Sequence, residues 1–470
     1  MMSTVLKLGA ELAAGRTTSR ALVEQCLTKI AEPSGEGSRV FMKVYEEMAL
    51  AEADASDKLR ANGIVRSPIE GLPISVKDLF DVSGDVTLAG SKALKNSPPA
   101  RADAPAVARL RAAGAVVLGR TAMVEFAFGG IGTNPHYGTP KNPFGRTDGS
   151  SIKGRIPGGS SSGAGVAVAD GMCVMGLGSD TRGSVRIPAA LCGVAGFKPT
   201  ASRVDRTGAF PLSYTLDSVG PLANSVACCA VFDAILSGEG RASEARPPPA
   251  RPVRGLRLLV PECFAMADLD DAVDAAFSRA LTTLEDAGCD VVRRDAAAAL
   301  DAAHALYAGG GFAGPESAQI HRPILASHRA EYDPNVAARI EAGENASAAD
   351  YVQLGLDRAR VIEEASALMA PYDAMLLPTT PATAPTIEAV SASEAEYVKW
   401  NMAMLRNTGL INMLDGCAAT IPIHPPGTPP VGLMVAGMGG TDKAILSVAM
   451  ALEGALGEQS DGGGTKRARL

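Results

Sequence analysis

Apolar and polar positions along the chain fall into a repeated helix-then-strand rhythm. Leu22, Val23, Cys26, Leu27 and Ile30 recur at helical spacing behind Thr18 and Ser19, which predicts a capped helix over 19–32. In "DAPAVARLRAAGAVVLGRT", residues 103–121, a helix and a strand share one line. Asp103 is expected to cap, Pro105 to sit in the first turn, and Val107 and Leu110 to face inward. Gly114 then ends the helix before a strand at 116–118. The same grammar predicts a helix over about 163–170, a strand over 173–177, a helix after Ser184 and a strand near 194–197. Further strands are expected at "LRLLVP" and near 290–292 and 374–377, and a last helix over 443–456 behind Thr441 and Asp442. Alternation of this kind implies an α/β sheet with helices packed on its faces. No internal repeat is evident.

Around "SGEGRASEARPPPARPVRG", residues 237–255, the composition turns to Pro, Arg and Gly. The stretch reads either as a linker between domains or as a long surface loop within one. The chain of 470 residues is long enough for a sizeable core, built from aliphatic residues and Ala because aromatics are only 4%. Its 51 Gly and 31 Pro are scattered rather than periodic, which excludes collagen-like and disordered classes. A formal net charge of −7 argues against a basic nucleic-acid surface, and the basic cluster at 466–469 reads as a solvated tail. The N-terminal stretch lacks the apolar core of a secretory signal, and no uncharged apolar run is long enough to span a membrane. None of the eight cysteines is spaced as C-x-x-C. They read as reduced thiols of a cytoplasmic protein rather than as disulfides or zinc ligands.

Three serine signals compete for chemistry. "GGSSSG" contains Gly159-x-Ser161-x-Gly163, a formal match to the nucleophile elbow of α/β-hydrolases. That fold needs a later acid and then a His, and the His nearest the C-terminus, His424 in "IPIHPPG", has the look of a loop residue. Ser150-x-x-Lys153 matches a penicillin-binding-protein motif, yet no K-T-G follows. The third signal is a set of three pieces. "GLPISVKDLF" puts Lys77 at the end of an apolar strand-like run, "PGGSSSGAG" opens a Gly/Ser turn, and "GSDTRGSVRIPA" turns from a strand into a helix at Ser184. Singly, each has a bland reading: a snorkelling lysine, a flexible linker, a plain turn. The linker reading is weakened because apolar helix and strand follow the Gly/Ser tract at once. No metal-binding, phosphate or nucleotide signature appears, and "GFKPT" lacks the spacing of a P-loop.

Together the three pieces resemble the amidase signature family. The resemblance extends through "EGLPISVKD", "MVEFAFGG", "YGTPKNP", "GFKPT" and "VDRTGAFPLSYTLDSVGP", and weakly to "NMLDGCAATIPI" and "PPVGLMVAG". It implies an α/β fold with a central mixed, twisted β-sheet of about eleven strands surrounded by helices. A single domain would cover 1–458, with a signature core at about 71–200, a Pro-rich surface excursion at 238–254 and a tail at 459–470. Carried over residue by residue, it implies a Ser–cisSer–Lys triad: Ser184 as nucleophile, Ser160 as the bridging serine on a cis peptide, and Lys77 as base. The chemistry is sound without histidine, because a buried lysine can be neutral and a serine hydroxyl can accept and donate at once. The resemblance further implies an oxyanion hole from the backbone N–H groups of Thr181, Arg182 and Gly183, braced by Asp180, with Arg186 in a packing role.

One departure stands out. The family usually has Gly where this chain has Arg182, and pairing of its guanidinium with Asp180 or Asp205 is the expectation, against a contact with an acidic or carbonyl-rich substrate. The loop at 125–138 is expected to line the acyl pocket through Phe128, Gly129, Gly130 and Ile131. Phe126, Phe128 and Ile131 hint at an apolar or aromatic acyl group, or belong to the core.

The implied function is hydrolysis of the C–N bond of a small-molecule carboxamide, with arylamide, carbamate and ester substrates open. It uses no cofactor and no metal, touches neither nucleic acid nor membrane directly, and is compatible with a homodimer. The alternative on the same fold is the glutaminase subunit of a tRNA-dependent amidotransferase. A non-enzymatic scaffold is disfavoured because all three triad positions are filled.

Overall fold

The computed structural model describes residues 2–146 and 153–460. Ser150 of the S-x-x-K match, and the expected tail from 461 onward, lie outside the described residues. Eleven strands form one mixed sheet: β1 (Phe41–Val44), β2 (Pro73–Lys77), β3 (Val116–Thr121), β4 (Met175–Asp180), β5 (Ala195–Lys198), β6 (Ser218–Ala223), β7 (Arg257–Glu262), β8 (Asp290–Asp295), β9 (Ala374–Pro378), β10 (Cys417–Pro422) and β11 (Gly432–Gly437). Their order across the sheet is β1-β3-β2-β4-β6-β5-β10-β11-β9-β7-β8. Strand β2 runs parallel to β3 and β4, β7 runs parallel to β8 and β9, and the remaining pairs are antiparallel. The expected mixed α/β sheet flanked by helices is what forms.

The central strands are apolar or small at nearly every position because helices cover both faces. All of β2 and all of β4 are buried. Register within this pair sets Ile74 opposite Met175 and Val76 opposite Leu177, so the last residues of β2 and β4 emerge side by side at one edge. Lys77 closes β2 there, and Ser179 and Asp180 close β4. Carboxyl ends of neighbouring parallel strands are where α/β sheets characteristically open a ligand crevice.

Local signals account for most helix bounds. Thr18 caps the helix Ser19–Ala31, its side chain accepting the Ala21 N–H. The helix Pro105–Ala112 starts with Pro in its first turn, but its cap differs from expectation. Ala104 stands at that position, while Asp103 accepts the Ser83 N–H at 2.7 Å and pairs with Arg111 at 3.3 Å. Tertiary donors outcompete the local cap for that carboxylate. The last helix, Asp442–Ser460, is tied down by Asp442, which accepts the N–H and the hydroxyl of Thr200 at 2.8 and 2.7 Å.

The Pro-rich stretch runs between the helix Val226–Ser237 and β7, mostly without regular structure. The strands before and after it belong to the same sheet. All eight cysteines are unpaired, and seven of them are buried. Among the described residues no helix is long and apolar enough to cross a membrane.

Candidate active site

Lys77 is wholly buried at the end of β2. Its ammonium donates to Ser160 Oγ at 2.7 Å and to Ser179 Oγ at 2.9 Å. Burial pushes its pKa down to about 7, against the opposing pull of Asp180 and Asp217. A lysine so placed is partly neutral near pH 7, whereas an exposed lysine is almost wholly charged there. The next residue, Asp78, anchors the strand end. It accepts from Arg120 Nε at 2.7 Å and from the Gly90 N–H at 2.9 Å, and its own N–H donates to Thr121 O.

Ser160 follows Gly159 across a cis peptide bond, as the family resemblance implies. The segment then enters the helix Ser162–Ala169. Its other contacts bind it to the neighbouring turn: the Ser161 N–H donates to Ser184 O at 3.2 Å, and Ser161 Oγ to Ser179 O at 3.4 Å. Ser161, the serine of the elbow match, is thus a brace between segments. His424 lies in a loop against Gly193.

The turn after β4 is built around Asp180. Its carboxylate accepts the N–H groups of Gly183 at 2.8 Å and Val185 at 3.1 Å, and it pairs with Arg186 at 3.0 and 3.1 Å. Asn412 completes the cluster, donating to Asp180 Oδ1 and accepting from Arg186 at 2.6 Å. Burial alone would raise the Asp180 pKa; the Arg186 guanidinium instead holds it well below the usual carboxylate range. Gly183 has φ of +133°, and a Cβ there would collide with Thr408 Oγ1 and lie 2.7 Å from Ile187 Cδ1. Only glycine suits that position. Ser184 is 3% exposed and borders a cavity of ≈ 480 Å³ together with Thr181 and Arg182.

Of the three amides expected in an oxyanion hole, that of Gly183 donates to Asp180, whereas among the described residues those of Thr181 and Arg182 have no hydrogen-bond partner. One expectation changes here, that for the Arg182 side chain, which pairs with neither Asp180 nor Asp205. Asp180 is saturated by Arg186, and Asp205 is exposed and accepts the Thr207 N–H. Arg182 turns the other way and sits over the Tyr307 ring, its guanidinium carbon 3.8 Å from the centroid.

Phe128 and Gly129 line the cavity as expected, whereas Gly130 and Ile131 stand behind it. The Gly130 N–H donates to Asn401 at 2.7 Å, and Ile131 packs in a buried cluster with Ile156, Ile187 and Leu191. Phe126 belongs to an aromatic core with Phe210, His321 and Tyr332. Several contributors escaped the sequence reading. Ser179, the second partner of Lys77, sits inside the quoted motif and was readable as the residue two before the turn. Tyr307, the glycines at 309–310, Arg339 and Leu405 come from segments with no motif of their own. A smaller cavity of ≈ 250 Å³, bordered by Ser179, Thr181 and Asp217, adjoins the first on the Lys77 side. Among the described residues no cluster of His, Cys, Asp and Glu could hold a metal ion.

The profile of the Amidase family matches residues 21–446. The chain is 36% identical to a 2-amino-5-chloromuconic acid deaminase of Comamonas testosteroni, covering 96% of this chain and 95% of the relative. It is 38% identical to the 1-carboxybiuret hydrolase subunit AtzE of Pseudomonas sp. (strain ADP), over 80% of this chain and 81% of the relative. A crystal structure of an amidase superposes with a TM-score of 0.85 at 33% identity, covering 96% of this chain and 99% of that one.

Proposed function

This chain belongs to the amidase signature family, and from that premise we propose that it hydrolyses the C–N bond of a small carboxamide through an acyl-enzyme on Ser184. Lys77 is the base and Ser160 the proton relay between them. The observation that carries the reading is the buried, readily deprotonated Lys77 in contact with Ser160, whose segment is hydrogen-bonded to Ser184.

Ser184 Oγ attacks the amide carbonyl carbon while its proton passes through Ser160 to neutral Lys77. The N–H groups of Thr181 and Arg182 stabilise the oxyanion that forms; such donors are commonly worth roughly 2.7–4 kcal/mol each. Collapse of the tetrahedral intermediate breaks the C–N bond, and the departing amine takes the proton back from Lys77. Water then attacks the acyl ester by the same route, releasing the acid and restoring the Ser184 hydroxyl. Every proton in the cycle has a residue of this chain to hold it. The relatives support small substrates, and the shared denominator of a deaminase and a carboxybiuret hydrolase is cleavage at carbon-bound nitrogen. The eight unpaired thiols support a reducing, cytoplasmic setting.

The test is release of ammonia or amine from aliphatic amides, arylamides, carbamates and glutamine, with Ser184→Ala as control. Turnover of small amides that vanishes in the variant is the expected result. Retained turnover in Ser184→Ala would remove the nucleophile. Turnover of glutamine alone would shift the function to an amidotransferase glutaminase.

A further inference from the structure

Two arginines face the same cavity as Ser184, and among the described residues neither has a carboxylate partner. Arg182 comes from the turn itself. Arg339 comes from the helix Pro334–Ala342, which closes on the helix Ala313–His328 where Gly343 meets Gly314. Both guanidinium groups are held in place by aromatic faces. Arg182 lies over Tyr307 at 3.8 Å, and the Tyr307 hydroxyl is fixed by donating to Gly409 O at 2.8 Å. Arg339 lies over Phe128 at 4.1 Å, donates to Phe128 O at 2.5 Å and interacts with the Tyr397 hydroxyl. A guanidinium has five N–H donors, so most of this capacity is unspent; Arg182 Nε is buried without any partner.

The nearby acids are all engaged elsewhere. Asp180 is bound by Arg186, and Asp217 accepts from Thr181 Oγ1 and from the N–H groups of Leu212 and Ser213. Glu316 accepts from Ser213, Thr215 and Tyr351, and Asp333 caps its own helix and acts on Arg339 only through its charge, without an ion pair. A third positive element borders the same space: Ala313 and Gly314, the first residues of a sixteen-residue helix without a side-chain cap. Burial, and to a smaller extent the charge of Arg339, disfavour the charged Arg182 guanidinium, against the opposing effect of Tyr307. Two like charges and a helix N-terminus gathered in one half-enclosed space are costly to hold together, and an anion there offsets that cost.

We propose that Arg182 and Arg339 form an anion subsite, so that the preferred substrate is an amide bearing a second, carboxylate-like group. This deepens the amidase reading and rests on it. The planar forks of two arginines suit bidentate capture of a carboxylate, and the aromatic faces beneath them keep the forks oriented before substrate arrives.

Matched probes separate the possibilities. Succinamate and butyramide differ only in a carboxylate for a methyl group, as do fumaramate and crotonamide. The subsite gives the carboxylated partner a kcat/KM higher by about 10- to 100-fold, the range expected for hydrogen bonds to a charged group. In Arg182→Gln and Arg339→Gln that ratio collapses toward one, and Arg339→Lys retains part of it. A purely structural role would lower both series alike and leave the ratio intact, which overturns the proposal, as does an absence of preference in the unaltered protein. Failure of the amidase reading looks different, since neither series is then turned over in a Ser184-dependent way. In that event calorimetry of fumarate with the Ser184→Ala protein decides the subsite: binding lost on removing either arginine upholds it, and no binding ends it.

Discussion

Lys77 Nζ stands 2.7 Å from Ser160 Oγ, and no part of the lysine reaches solvent. The pair joins two distant segments of chain through a contact that has meaning only if the amine can give up its charge.

Activity should therefore follow the neutral form of Lys77. With its pKa pushed down to about 7, kcat/KM is expected to rise through pH 7 and level off above it. The same shift bears on stability. An unfolded lysine titrates near the ordinary value of 10.5, so between about 7 and 10.5 the unfolded chain holds a proton that the folded one has released. The contribution of Lys77 to stability thus rises with pH across that window. A pH–rate profile on one amide checks the first expectation; a flat profile from pH 5 to 9 would remove Lys77 as the base.

Ser179 is the second oxygen on the Lys77 ammonium, at 2.9 Å. Ser179→Ala removes an acceptor that favours the charged amine, so the midpoint of the pH–rate profile should move below its starting value. The rate above the midpoint should fall about tenfold, consistent with loss of one charge-assisted hydrogen bond. Ser179→Thr keeps the hydroxyl and should keep the midpoint.

Arg186 and Asp180 are both wholly buried. Arg186→Met leaves the Asp180 carboxylate without its counter-charge and should destabilise the fold by about 3–5 kcal/mol, read from urea unfolding. A loss below about 1 kcal/mol would mean that Asn412 and the backbone amides suffice on their own.

Gly183→Ala should be more damaging than its size suggests. The position needs a positive φ, and the added methyl collides with Thr408. Turnover should fall at least 100-fold through displacement of the turn that carries Ser184, an effect of the kind expected when reacting groups shift by about 1 Å. A near-normal rate would show that the turn has slack.

How much of this was legible in the chain differs by feature. The helix–strand grammar located the elements around the site to within a few residues because cap, period and terminating glycine are local signals. The three motif pieces pointed to Lys77, Ser160 and Ser184, and the structure brings Lys77 into contact with Ser160 and the Ser160 segment into contact with Ser184. Asp103 shows the limit: as a cap it was a sound local expectation, and it lost to the Ser83 N–H and Arg111 from elsewhere in the chain.

What the sequence determined by itself was therefore the elements around the site, the family and the identity of the candidate reacting groups, all of which are encoded within short windows; β1, β6, β10 and β11 were not located by the pattern. What only the tertiary structure decided was direction and company. Arg182 looked set to pair with a nearby acid, but Arg186 already occupies Asp180, and the ring of Tyr307 and the bare backbone of Gly409 offer it a slot on the other side. Arg339 carried no signal at all until helix packing set it beside the same cavity. Competition among side chains for partners far apart in sequence resolves only when the chain is folded, because the free energy of each choice depends on which donors and acceptors the others have already taken.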